Sequence, residues 1–148
     1  MTTIALFVPG TPAPQGSKRY LGNHGGRGIL VESASDKVKS WRADVRDAFH
    51  GQLEQPLTGP VHVTIAFRLA RPKSVSAKRR PDHTVKPDLD KLVRSTLDAL
   101  KSAGVYLDDS QVVSLDAGKA YADGRGVICD GWDLATPGAR IAIREAQP

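Results

Sequence analysis

At 148 residues, with 40% hydrophobic and 25% charged side chains, the chain has the size and composition of one soluble globular domain that buries its own core. Lys and Arg outnumber Asp and Glu by 21 to 16, a formal net charge of +5 that suits an anionic partner without naming one. A single cysteine, Cys129, excludes an intrachain disulfide and a cysteine-rich zinc site, and no apolar run approaches the roughly 20 residues that cross a bilayer.

Thr3–Val8 is rich in β-formers and reads as a first strand closed by Pro9-Gly10. It has no positively charged region before it, so it is expected to be a strand and not a secretion signal, and the protein is expected in the cytoplasm. Residues 11–30 are dominated by Pro and Gly and are expected as loop. Lys18, Arg19 and Arg27, with Tyr20 between them, suit a sugar–phosphate backbone there. The glycines at 22, 25, 26 and 28 match neither a phosphate loop nor a dinucleotide fingerprint. His24 has no spaced partner and reads as solvated. A helix is expected from Ser33 or Ser35 to Phe49, with Val38, Trp41, Val45, Ala48 and Phe49 on its buried side and Gly51 as its stop.

Residues 60–69 alternate apolar and polar, which is a strand with one covered face and His62 on the other. Residues 71–86 follow as a basic loop: Arg71, Lys73, Lys78, Arg79, Arg80 and Lys86 stand against one acid, Asp82. Such a run is either a solvated, mobile charge cluster or a phosphate contact. Pro87 and Asp88 open the next helix. Its apolar stripe is Leu89, Leu92, Val93, Thr96, Leu97 and Leu100, and Gly104 closes it. A strand over 111–121, a connection over 122–138 and a last strand over 139–145 complete an α+β domain, a small mixed sheet with helices on one face. It is read as one domain over 1–148, with flexible loops near 10–30, 71–87 and 122–138.

Four carboxylates, Asp88, Asp90, Asp108 and Asp109, stand at the two ends of that second helix, beside the basic loop. Acids at the mouth of a basic surface weaken its hold on an anion, unless a divalent cation lies between protein and phosphate. Mg2+ needs few protein oxygens and keeps several waters, so such carboxylates are suitable ligands. The competing reading makes Asp88 an N-cap and Asp108-Asp109 ordinary turn residues. Asp98 reads as a helix-surface partner of Arg94 or Lys101. Arg94, one turn beyond Asp90, is placed to stabilise phosphate charge.

The stretch Lys86–Val113, KPDLDKLVRSTLDALKSAGVYLDDSQVV, resembles the core motif of the RusA-type Holliday junction resolvases. That pattern is a basic residue, D-x-D-N, a helix ending in D-A-L, a Gly, then D-D-x-x-V. The N-terminal strand with GTPAPQGSKR and the final strand suit it less specifically. The resemblance implies a bacterial or phage endodeoxyribonuclease that acts as a homodimer and makes paired symmetric nicks in four-way DNA junctions in recombination and repair, with Mg2+ (Mn2+ as a substitute). It implies catalytic Asp88, Asp90, Asp109 and Arg94, and metal-binding Asp88, Asp90 and Asp109 with Asp108 beside them. DNA contacts are expected from Lys18, Arg19, Arg71, Lys73, Lys78, Arg79, Arg80, Lys86 and Lys91. Two positions depart from the pattern. Lys91 replaces the usual Asn, and Arg94 stands where a catalytic Lys is usual; Arg keeps the charge but cannot give up a proton. The alternatives are a non-catalytic branched-DNA-binding protein of the same fold and a nuclease for other branched nucleic acid.

Overall fold

The computed structural model describes residues 2–16, 18–24, 27–32, 36–124 and 135–146. Among them the chain forms six strands and two α-helices in the order β1 (Thr3–Pro9), β2 (Lys18–His24), β3 (Arg27–Glu32), α1 (Asp36–Phe49), β4 (Val61–Leu69), α2 (Leu89–Ser102), β5 (Val112–Tyr121) and β6 (Gly138–Glu145). A four-stranded mixed sheet runs β1-β6-β4-β5. β6 is antiparallel to both β1 and β4, whereas β4 and β5 are parallel and joined through α2. The fold is α+β.

β4 shows how the layers arise. Its alternate residues Val61, Val63, Ile65, Phe67 and Leu69 are buried, while His62, Thr64, Ala66 and Arg68 face the other way and stay partly or fully accessible. A period of two puts one apolar face under the helices and leaves the other open. α1 and α2 pack on that apolar face and on each other. Trp41 of α1 is fully buried between them, and its indole Nε1–H donates to Thr96 Oγ1 of α2 at 3.1 Å. Trp41 is thus a core anchor whose polar end finds its partner in the neighbouring helix.

The expected loop over residues 11–30 is corrected by the β2–β3 pair. These strands form their own antiparallel ladder, with Lys18 opposite Glu32 and a register shift between Tyr20 and Asn23. The β-formers Tyr20, Leu21, Ile29, Leu30 and Val31 flank the Gly25-Gly26 dipeptide, a short-hairpin signal outweighed in the reading by the surrounding glycines. The basic segment 71–87 has local order. That segment is a series of hydrogen-bonded turns, including Val75 N–H to Pro72 O and Arg80 N–H to Ser76 O, both at 3.0 Å. Cys129 and most of the 122–138 connection lie outside the described residues.

α2 ends as its sequence predicts. Gly104 has φ +82°, its N–H donates to Lys101 O, and Val105 N–H donates to Leu100 O, the two bonds of a Schellman motif. Among the described residues no helix is long and apolar enough to cross a membrane.

Candidate active site

Asp88 occupies the N-cap position of α2, with extended backbone, but its side chain makes no capping hydrogen bond. An N-cap carboxylate normally accepts from the first-turn amides; here it stays exposed and uncommitted to the helix. Asp90, in the first turn, is also exposed, and Lys91 Nζ lies 3.4 Å from its carboxylate. Arg94 is exposed one turn further along. This end of α2 is held from two sides. Lys119 of β5 donates to Val85 O at 2.7 Å and to Pro87 O at 2.8 Å. Gln15 N–H donates to Lys91 O, and buried Ser95 donates to Ala13 O at 2.6 Å. Lys119 is a positioning cation absent from the expected set; a lone Lys inside a strand pattern carries no signal for it.

The basic loop divides into exposed and structural members. Lys73, Lys78, Arg79 and Lys86 are exposed, and Arg80 is half-buried. Arg71 is committed elsewhere. Its guanidinium donates to Arg80 O at 2.5 Å, pairs with Asp123 at 2.9 Å and lies 3.9 Å from the Tyr121 ring centroid, on whose other contact His83 sits at 4.7 Å. With its fork consumed by carbonyls, a carboxylate and a ring, Arg71 shapes the loop and is not offered to a phosphate. Burial lowers the His83 pKa, and Lys119, Arg80 and Arg71 lower it further against an opposing backbone hydrogen bond. Lys18 and Arg19 belong to β2, and their side chains lie outside the described residues.

At the other end of α2 the acids are unequal. Asp108 caps the short 3-10 turn Asp109–Gln111: its carboxylate accepts from Ser110 N–H at 3.0 Å, and Gln111 Oε1 accepts from the N–H groups of Leu107 and Asp108. Lys101 Nζ adds an ion pair at 2.9 Å. The bonds from Ser110 and then Lys101 hold the Asp108 carboxyl well below the usual range. Asp108 is therefore a cap, as the competing reading of the turn held. Asp109 differs. It is half-buried, and burial raises its pKa first; Asp98 raises it next, close enough for the two carboxyls to share a hydrogen bond. Tyr106 completes this corner, its hydroxyl donating to Leu97 O at 2.8 Å. Asp98 lies close enough to Lys101 to help raise its pKa, as expected of a helix-surface partner, and it also faces Asp109 across the turn that follows Gly104. The D-A-L segment of the helix was the available signal.

The carboxylates thus form two groups, Asp88 with Asp90 and Asp98 with Asp109. Asp90 and Asp98 are eight residues apart on one helix, a rise of about 12 Å. Among the described residues no set of three or more His, Cys, Asp or Glu side chains converges into a metal site.

The sequence pattern described as endodeoxyribonuclease RusA matches residues 9–129. The chain belongs to the RusA family. The match takes in both carboxylate groups, the basic loop and β5, and leaves β6 outside. The chain is also 33% identical over 132 residues to Uncharacterized protein YqaN of Bacillus subtilis (strain 168), covering 83% of this chain and 91% of that one. As a RusA-family member the protein is an endodeoxyribonuclease, and the α2 ends are where its acids gather.

Proposed function

We propose that this RusA-family enzyme is a Mg2+-dependent endonuclease that resolves four-way DNA junctions by paired symmetric nicks, working as a homodimer. The observation that carries the reading is the Asp88–Asp90 pair, two exposed carboxylates unspent on capping beside a turn-rich loop whose outer residues are cationic. Their hard oxygens fit Mg2+, which takes one or two carboxylates with waters and substrate phosphate oxygens. Bound there, the cation supplies Lewis acidity toward the scissile phosphate. Arg94 places a permanent positive charge one turn away, suited to stabilising the phosphate as charge develops on it and unsuited to proton transfer. Lys73, Lys78, Arg79, Lys86 and Lys91 draw the strand in by its backbone, which positions DNA without reading sequence.

The separation along α2 supports the homodimer. Ligand oxygens of one Mg2+ sit at about 2.1 Å from it, so no two of them are more than roughly 4 Å apart. By the rise of α2, Asp109 of the same chain lies beyond that span from Asp90, and a second copy would supply its own Asp109. Leu107 and Val113 flank the Asp109 turn and are 59% and 61% exposed, and Leu115 of the edge strand β5 is 44% exposed, an apolar margin suited to a second copy. A two-fold dimer then presents two composite sites to a substrate that is itself two-fold symmetric.

Cleavage of a synthetic four-way junction with Mg2+, alongside linear duplex and three-way DNA and with EDTA controls, tests the reading. Symmetric nicks in the four-way junction alone are expected, with Asp90→Asn abolishing them while junction binding survives. Unchanged cutting by Asp90→Asn would sink the site assignment, and equal cutting of linear duplex would sink the substrate class.

A further inference from the structure

A cavity of about 480 Å3 opens directly beside Asp88, and apart from that carboxylate its lining takes no part in the metal chemistry. Its walls are largely apolar: Pro12 and Pro14 from the segment after β1, Leu69 from the end of β4, and Pro87 before α2. Its rim carries three cations, Lys37, Lys86 and Lys91, and the Asp88 carboxylate. This volume lies in the range of small-molecule pockets and far exceeds that of an ion. The walls are pre-formed, because the Gln15 N–H to Lys91 O bond and the Ser95 to Ala13 O bond fasten the 11–16 segment to α2. A nucleotide, an apolar base joined to an anionic phosphate, matches apolar walls beside lysines.

We infer that this cavity receives a single unstacked nucleobase from the cleaved strand, adjacent to the scissile phosphate, while the rim lysines hold its flanking phosphates. The inference rests on the nuclease reading above and adds the element that recognises a base. Enzymes that take a base out of the stack hold it between apolar side chains in a pocket, and the unstacking is least costly where pairing is already disturbed. The branch point of a junction is such a place. The phosphate contacts of the basic loop carry no sequence information, so a base preference at the cut would have to come from a site such as this cavity.

The test places 2-aminopurine at each nucleotide flanking the branch point of a four-way junction, one position at a time, and reads its fluorescence with protein bound in EDTA, where nothing is cut. At one position the signal should rise about threefold or more as the base leaves the stack. Thr11→Leu/Pro14→Leu narrows the cavity from its walls and should abolish the rise while junction affinity changes less than about twofold, since phosphate contacts dominate binding. Thr11→Leu alone, at an exposed position, is the second variant should the double one fold poorly, and it should reduce the rise. A rise that persists in the narrowed variants, or no rise at any position in a junction that is bound, overturns the pocket inference and leaves the nuclease reading standing. Failure to bind the junction at all overturns both.

Discussion

If each working site draws Asp88 and Asp90 from one chain and Asp109 from the other, two inactive variants should restore each other. Asp90→Asn and Asp109→Asn each break both sites of their own homodimer. The separation that forces this design is the rise of about 12 Å from Asp90 to Asp98, against a span of roughly 4 Å available to two ligands of one Mg2+. Mixing equal amounts and allowing subunits to exchange gives roughly half heterodimers, by symmetry of the two-fold assembly. In each heterodimer one site receives both substitutions and the other receives none. About a quarter of the wild-type number of sites should therefore return, each able to make one nick and none able to make the symmetric pair. The assay is nicking of a junction labelled on one strand, before and after co-refolding. A mixture as inactive as its parents, with exchange verified by differently tagged subunits, would refute the shared site and place all the ligands in one chain.

Three further outcomes follow from individual side chains. Gln111→Leu removes the side chain that accepts from Leu107 and Asp108 and donates to Leu57 O and Gly59 O at 2.9 Å; leaving partners unpaired should cost about 1–3 kcal/mol, read as a melting temperature several degrees lower. Arg71→Lys keeps the charge and loses the fork, so protease cutting within 72–86 should accelerate while junction binding retains its salt dependence. His83 has its pKa lowered from 6.5, chiefly by burial. As pH falls through that value the unfolded chain takes up a proton that the folded chain resists, so the fold loses stability, levelling off below the folded pKa. His83→Phe keeps a ring against Tyr121 and should lose less stability than wild type between pH 7 and pH 5 in thermal melts.

The parts of this protein that were readable in advance are those governed by local rules. The alternation of β4, the apolar stripe of α2, the stop at Gly104 and the anchoring of Trp41 each depend on spacing within one element, and each is found where periodicity places it. The β2–β3 hairpin was hidden because its glycines suit a loop as well as a turn. The roles of the acids were less legible, since they depend on what the chain does after turning back. Asp108 and Asp109 are neighbours of identical chemistry, yet one is spent on Ser110 and Lys101 and the other is set half-buried against Asp98. Arg71 looked like the other members of its charge run. Only the arrival of Asp123 and Tyr121, 50 or more residues later in the chain, commits it.

The stiffness of α2 is what makes the two-ended arrangement consequential. A flexible spacer would let one chain fold its own acids around a cation, and a second copy would then add a second site without completing the first. Each end of this helix is fastened. At the start, Lys119 grips Val85 O and Pro87 O, Gln15 bonds Lys91 O, and Ser95 bonds Ala13 O. At the finish, the Schellman bonds, Tyr106 on Leu97 O and Gln111 on Leu57 O and Gly59 O hold the returning turn. A net worth of about 0.5–1.5 kcal/mol for each such bond makes the sum comparable to the 5–15 kcal/mol that stabilises a whole domain. Bringing Asp109 to Asp90 within one chain would break most of them and expose Leu92, Thr96 and Leu100 from the core. Docking a second copy breaks none. The same rigidity that keeps the half-sites apart in one chain would hold them at a fixed spacing in a pair, as symmetric cutting of a junction requires.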